Sequence, residues 1–353
     1  MTTTVGSLFS GVGGLDLAVH AHFNATPAWF VEANPYCQQV LAKRWPGVPI
    51  HNDVREVNAA TLGVRPDILV GGPPCTDLSA SSPTKTGLDG ARSGLFYQLA
   101  RIANELEVPT IVIEKVPALL SKWRGAVEDA LPDYGITWVK VSAAHIEGCP
   151  HLRWRVFLVC KRGAQDGGVV TAGKAPAADR WPTHKASLSG PDFARASRKR
   201  SGGDDLVTAI ARWASPAARD YRSGTGYDRA KHYPGRIGSD QLPEQMGGRL
   251  NADWVEALMG FSVGWTDIDC DKPASHPFPA PMSKQLCGDS PQFDWEPPRT
   301  VTGRQKNRRA RLTALGNAVV TQQAMRALNL AGHGPRQASL FGASHLTTGS
   351  NCE

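Results

Sequence analysis

Apolar and polar positions along the first 160 residues follow two alternating rhythms. Short runs rich in β-branched and aromatic residues occur at Val5–Phe9, Ala28–Val31, Ile68–Val70, Ile111–Ile113, Trp138–Ala143 and Val156–Cys160. Each has the length and composition of a strand. Between them lie amphipathic stretches. In Leu95–Leu106, apolar residues at 95, 96, 99, 102, 103 and 106 keep helical spacing, which predicts a helix. Strand and helix in alternation predict an α/β fold with a mostly parallel, doubly wound sheet. Ligands of such sheets sit beyond the carboxyl ends of the strands, so the residue after each apolar run is where chemistry is expected.

The rhythm stops at Gly163. From there to Arg249 the chain is rich in Gly, Pro and Ser and predicts a smaller, loop-rich second domain. Periodic sequence returns in Leu250–Trp265, and Cys270–Pro298 is a Pro-rich connection. Leu312–Leu330 predicts one helix, with apolar positions from Ala318 to Leu328 at helical spacing. The expected organisation is a catalytic and cofactor-binding domain over 1–162, a second domain over 163–248, a return to the first domain over 249–330, and a flexible tail over 331–353. There is no internal repeat.

Composition removes several classes. No apolar run reaches the ~18–20 residues of a bilayer span, so no membrane partner is expected. The start, Met1 to Phe23, lacks the basic and apolar regions of a secretory signal. Seven scattered cysteines with no CxxC pair argue against a disulfide framework and structural zinc, and for a reducing, cytoplasmic setting. Charge is unevenly spread. Residues 161–249 hold 16 Lys/Arg against 9 Asp/Glu, whereas the rest of the chain holds 23 of each, so the whole net charge of +7 sits there. Arg195, Arg198, Lys199 and Arg200, with Arg219 and Arg222, are interleaved with Trp213, Tyr221, Tyr227 and Tyr233. Such a segment suits a phosphate backbone; a solvated surface is the plainer reading.

The chemistry-bearing residues follow the strands. Phe9-Ser-Gly11-Val-Gly13-Gly14 is a glycine turn after Val5–Leu8, where a ligand can approach the backbone. Glu32 ends the next strand and Asp53 follows Val48–His51; acids at strand ends accept hydrogen bonds from ribose hydroxyls. Asp67-Ile-Leu-Val-Gly-Gly-Pro-Pro-Cys75 puts one cysteine on a stiff loop, a candidate nucleophile with Cys149 as its rival. Glu114, directly after Ile111–Ile113, is a candidate general acid whose pKa desolvation would raise. Arg153 and Arg155 alternate along a strand, so both guanidinium groups share a face suited to an anion or to Glu114.

These residues together resemble the cytosine-5 DNA methyltransferases, over roughly residues 5–160 and 249–325. Phe9–Gly14 is similar to the family's first motif, Gly72-Pro73-Pro74-Cys75 to its catalytic loop, and Arg153-Trp154-Arg155 to its paired-arginine motif. Arg249-Leu-Asn-Ala-Asp-Trp254 to Met259-Gly-Phe261 resembles the motif closing the variable region, and Gly316-Asn317-Ala318-Val319 the last motif. Five motifs in order are far more specific than any one, and they set Cys149 aside.

The resemblance implies a Rossmann-like, S-adenosylmethionine-dependent methyltransferase with a target recognition domain. It implies Cys75 as nucleophile toward carbon 6 of a flipped-out cytosine, Glu114 as the group at nitrogen 3, Arg155 near the base oxygen, and Arg153 supporting Glu114 or a phosphate. Cofactor contacts carry over to Phe9, Gly11, Gly13, Gly14, Glu32, Ala33, Asp53, Val54, Pro74, Leu95, Asn317 and Val319. No metal is implied. Double-stranded DNA is the expected partner, read by Gly163–Gly248. The basic cluster Arg304, Lys306, Arg308, Arg309 and Arg311 is either a further set of backbone contacts or a solvated loop. The enzyme is expected to be monomeric, in a bacterial or phage-infected cell, with any restriction nuclease on a separate chain. Two departures stand out: Lys115 where the family usually has Asn, and Thr76 after the cysteine where Gln is more frequent. The alternatives are a transfer-RNA cytosine-5 methyltransferase and a DNA-binding protein with impaired turnover.

Overall fold

The computed structural model describes residues 2–74, 94–143, 146, 151, 153–171, 214–222, 242–274 and 296–332. Eight strands form one sheet: β1 (Thr4–Leu8), β2 (Thr26–Val31), β3 (Ile50–His51), β4 (Ile68–Gly71), β5 (Thr110–Lys115), β6 (Tyr134–Ser142), β7 (Trp154–Arg162) and β8 (Gly168–Thr171). Their order is β3-β2-β1-β4-β5-β7-β6-β8. Pairings from β3 across to β5 are parallel, β7 runs antiparallel to both β5 and β6, and β8 is parallel to β6. The chain leaves β1 toward β2 and β3, then crosses back to β4. The order therefore reverses between β1 and β4, which is where doubly wound sheets bind ligands.

Strand alternation builds a core on each face. Leu69, Ile111, Ile113 and Leu158 point to the face covered by α4 (Leu95–Glu105), whose Phe96, Leu99, Ile102 and Ala103 are buried there. Val5, Val70, Val112, Val139 and Phe157 point to the other face. That face is covered by α1 (Gly14–Phe23) and by the helix Thr321–Leu330. Both faces being covered explains why these strands read as continuous apolar runs. A third cluster joins α2 (Pro35–Arg44) to the C-terminal part of the chain, through Val40, Trp254, Leu258, Phe261, Leu312 and Leu315. The remaining helices, in chain order, are α3 (Ala59–Leu62), α5 (Ala118–Lys122), α6 (Arg124–Ala130), α7 (Leu242–Gln245), α8 (Ala252–Leu258), α9 (Arg308–Asn317) and α10 (Thr321–Leu330).

Three features differ from the sequence reading. First, the sheet does not end at residue 162: β8 continues it through Thr171. Second, residues 214–222 and 242–248, expected in a separate domain, pack in part on the catalytic body; Ala214, Tyr221, Leu242 and Met246 join the third cluster. Third, the single helix expected over Leu312–Leu330 is two. Ala318 and Val320 are extended, with ψ of 155° and 114°, and the carbonyls of Gly316 and Ala318 accept hydrogen bonds from Arg153. A side chain from outside the helix has replaced the bonds that would have continued it.

Candidate active site

The turn after β1 is assembled from backbone and one acid. Phe9 takes a positive φ of 55°, a conformation a bulky residue seldom adopts, and its N–H donates to Val31 O at 2.8 Å. Glu32, at the end of β2, holds the next residues. Its Oε2 accepts from Gly11 N at 2.7 Å and its Oε1 from Asn34 N at 2.8 Å. Burial pushes the Glu32 carboxyl up, while these N–H donors pull it down. Asn34 in turn caps α2 through Tyr36 N and Cys37 N. Gly14 has no room for a side chain, because a Cβ there would lie 2.3 Å from Val319 O. Helix α10 is pinned to the same place by a hydrogen bond from Thr321 Oγ1 to Gly14 O.

Beyond these strand ends lies a cleft of about 610 Å³. Phe9, Gly11, Glu32, Ala33, Asp53, Val54, Pro74 and Leu95 line it on the β1–β4 side, and Glu114, Arg153, Arg155 and Asn317 on the other. Gly14 and Val319 line an inner recess of about 40 Å³, which shares Phe9, Gly11, Gly72, Glu114 and Asn317 with the cleft. Gly13 lines neither. It N-caps α1 with φ 82°, and a Cβ on it would point at Trp45, 2.5 Å away. The turn itself requires this glycine. Asp53 makes an ion pair with Arg55 at 2.5 Å, which holds its carboxyl below the usual range.

The candidate catalytic groups meet where β4 and β5 end and β7 begins. Arg155 Nε lies 2.5 Å from Glu114 Oε1, and both side chains are mostly buried. The Glu114 carboxylate is thus held from one side, while Oε2 lies toward Gly72. Cys75 lies outside the described residues; Pro73 and Pro74, which lead into it, stand at the rim of the cleft. Lys115 is buried at 2% exposure and donates to Pro73 O, so the residue that departs from the family pattern fastens the backbone two residues before Cys75.

Arg153, expected to support Glu114 or a phosphate, lines the cleft beside Glu114. Its guanidinium, 5% exposed, donates to Pro216 O at 3.2 Å, Gly316 O at 3.2 Å and Ala318 O at 2.9 Å. It is a strut between β7, the segment 214–222 and the α9–α10 junction. Burial and the neighbouring Arg155 push it down to about 9, against the pull of the Glu114 carboxylate.

Among the expected DNA contacts, Arg195, Arg198, Lys199 and Arg200 lie outside the described residues. Arg219 and Arg222 are exposed. Arg222 and Arg309 both stack on Tyr221, 5.8 and 4.7 Å from the ring centre. Of the cluster 304–311, Arg304, Lys306 and Arg309 face solvent, Lys306 in an ion pair with Asp269. Arg308 and Arg311 do not. Arg308 is buried and donates to Leu250 O and Tyr221 O. Arg311 is 2% exposed and pairs with Asp253 at 2.6 Å and Glu256 at 2.8 Å. Sequence reasoning missed Glu256 and Asp16; the only signal was an acid recurring inside an apolar helix face. Among the described residues there is no group of three His, Cys, Asp or Glu placed to hold a metal ion, and no helix long and apolar enough to cross a membrane.

A doubly wound sheet with a glycine turn at its switch point, opening on a cleft with an Arg–Glu pair, defines a nucleotide-cofactor enzyme. Residues 3–204, more than half of the chain, match the C-5 cytosine-specific DNA methylase family, and the chain belongs to that family. It is 30% identical to the type II methyltransferase M2.BsuMI of Bacillus subtilis over 273 residues, 74% of this chain and 66% of that protein. It is 30% identical to M.HhaI of Haemophilus parahaemolyticus over 160 residues, 44% of this chain and 48% of that protein. The chain thus spans just under two thirds of the first relative and about half of the second. In fold it is similar to a candidate DNA modification methyltransferase encoded within an E. coli prophage, at TM-score 0.52 and 18% identity, covering 94% of this chain and all of the other. As a class, methyltransferases of this family use S-adenosylmethionine.

Proposed function

We propose that this protein methylates carbon 5 of a flipped-out cytosine in duplex DNA, with S-adenosylmethionine as methyl donor. The observation that carries the reading is the Glu114–Arg155 pair beside Gly72-Pro73-Pro74 in a cleft that the glycine turn also lines. The residues fit that donor. Glu32 and Asp53 offer carboxylates to ribose hydroxyls, Phe9, Val54 and Leu95 offer apolar surface to a purine, and Asn317 and Gly11 flank the recess. When bound there it supplies an electrophilic methyl group on sulfur.

The chain's own residues make the ring reactive. Carbon 5 of cytosine is a weak nucleophile, so the Cys75 thiolate adds to carbon 6 and pushes the double-bond pair toward carbon 5. Glu114 holds a proton at nitrogen 3, which takes up the charge that addition creates. Arg155 keeps that carboxyl group oriented and offers a donor to the carbonyl oxygen of the base. Once carbon 5 carries the methyl, a base takes its proton, and the C–H pair re-forms the 5,6 double bond as Cys75 leaves as thiolate. Carbon 6 is out of reach in a stacked duplex, so the base must leave the helix. Lys115 keeps the loop that presents Cys75 from drifting.

A covalent trap tests this. A duplex with 5-fluorocytosine at the target site, which has no removable proton on carbon 5, is incubated with protein and S-adenosylmethionine. A crosslink at Cys75 that Cys75→Ala abolishes is the expected result. Bisulfite sequencing of a plasmid from a methylation-free host expressing the protein finds the target sequence. Crosslinking to transfer RNA but not to duplex DNA, or no adduct on either, would overturn the proposal.

A further inference from the structure

Arg153 joins two parts of the molecule through one planar group. Its Nη2 donates to the carbonyls on either side of Asn317, Gly316 O and Ala318 O, while its Nη1 donates to Pro216 O. Asn317 lines both the cleft and its inner recess. Pro216 is the buried foot of the segment 214–222, whose Arg219 and Arg222 are exposed. That segment is stiffened from within, since Asp220 Oδ2 accepts from Ala217 N at 2.8 Å and Asp220 N donates to Ala217 O at 3.0 Å. It also sits directly on the wall of the cleft. A Cβ on Gly316 would lie 2.1 Å from Ala218 N and 2.2 Å from Ala217 C, so only a glycine lets the two backbones meet.

The root of Arg153 is fixed. Its carbonyl accepts from Ala143 N at 3.1 Å and from Gln323 Nε2 at 2.7 Å, and the buried Gln323 also donates to Val141 O. A guanidinium is rigid, so Nη1 and Nη2 cannot shift independently. Displacement of Pro216 is therefore passed to the carbonyls that frame Asn317. The Nε of Arg153 is buried and has no partner. An unsatisfied buried donor is costly, which brings a second arrangement of the same guanidinium, with Nε bonded, within reach. Arg308 is a useful contrast. It holds Tyr221 O and Leu250 O from the first turn of α9, ~13 Å along the helix from Asn317, and touches neither framing carbonyl.

We propose that Arg153 couples the segment 214–222 to the methyl-donor site: duplex held against that segment and a donor held in the cleft favour the same seating of its guanidinium. Each ligand then raises affinity for the other by the same factor. The assignment rests on the proposed function and deepens it, making engagement of the duplex and readiness of the donor one event. Arg153 is a positioning residue, acting through the turn at Asn317.

Calorimetry on the full chain tests this with S-adenosylhomocysteine, which carries no methyl to transfer, titrated with and without a saturating duplex that contains the target sequence. The readout is the ratio of the two affinities, because a merely structural role weakens both and leaves their ratio alone. Wild type is expected to show a ratio of ~10, within the usual range for coupled sites. Arg153→Lys keeps the charge but loses the planar fork, and should bring the ratio to within about twofold of one. Arg308→Lys, the same exchange at the anchor that misses the junction, should keep it within about twofold of wild type. If Arg153→Lys folds poorly, Gly316→Ala serves instead: its Cβ wedges the segment off the wall with Arg153 intact, and should lower the ratio at least ~3-fold. A wild-type ratio of one, an unchanged ratio in Arg153→Lys or Gly316→Ala, or an equal loss in Arg308→Lys would overturn the assignment and leave the proposed function standing. If wild type binds neither S-adenosylhomocysteine nor duplex, the proposed function falls together with the assignment.

Discussion

Two arginine–carboxylate pairs do opposite work in this molecule. Arg155 and Glu114 meet at the mouth of the cleft, with side chains 19% and 14% exposed. Arg311 and Glu256 meet inside the third core, 2% and 0% exposed, joined by Asp253, and Glu256 also accepts from Gly264 N and Thr266. The first pair leaves one carboxylate oxygen toward the cleft; the second spends every acceptor on the protein. A charge pair with capacity left over can serve a substrate, and one with none left over is architecture.

The largest effects come from exchanging the same substitution between the pairs. Glu256→Gln leaves Arg311 with its best partner gone in a sealed site and should cost ~3–5 kcal/mol in urea unfolding. Glu114→Gln should change stability by less than about 1 kcal/mol and lower kcat by ~10²–10⁴-fold, the range for a lost general acid. If Glu114→Gln destabilises as much as Glu256→Gln, the distinction fails. Next is the loop anchor. Lys115→Ala strips the buried Pro73 carbonyl of its donor and should cost about 1–3 kcal/mol, with a larger loss in kcat than in cofactor affinity.

How far such distinctions could be read in advance depended on the element. The apolar runs located six of the eight strands and helix α4, because burial on both faces leaves a dense hydrophobic record. The two-residue β3 registered only as the short run Val48–His51 before Asp53, and the Gly-Val-Val-Thr of β8 carries too little pattern and was read as part of the next domain. Phe9, Glu32, Asp53, Glu114 and Arg155 were legible since strand ends are where a doubly wound sheet presents chemistry. Arg153, Arg308 and Arg311 were not. A guanidinium bonded to carbonyls distant in sequence looks, in one dimension, like a guanidinium awaiting a phosphate.

His151 gives a smaller, pH-dependent test. It is fully buried, and burial with the nearby Arg153 and Arg155 pushes it down to about 3, below the ordinary value of 6.5. The unfolded chain therefore binds one more proton than the folded one between these values. Stability from this group is fully present above pH 6.5 and is lost as pH falls toward 3, with a slope of up to ~1.4 kcal/mol per pH unit. His151→Gln should flatten that part of the stability profile. The smallest effect belongs to the exposed stack on Tyr221. Arg309→Ala or Arg222→Ala should weaken binding to all duplexes alike and lower the slope of log affinity against log salt by about 1 each. Stability should stay within about 0.5 kcal/mol.

Arg153 and Arg308 hold between them the carbonyls of Pro216, Tyr221, Leu250, Gly316 and Ala318. Those anchors bracket the sequence between 222 and 250 and border the stretch before 214 from the other side. The points of attachment of that sequence are fixed by two guanidinium groups rooted elsewhere in the fold. On the proposed function, a new specificity can then be grafted in as a cassette between Tyr221 and Leu250, leaving those five carbonyls and their donors in place.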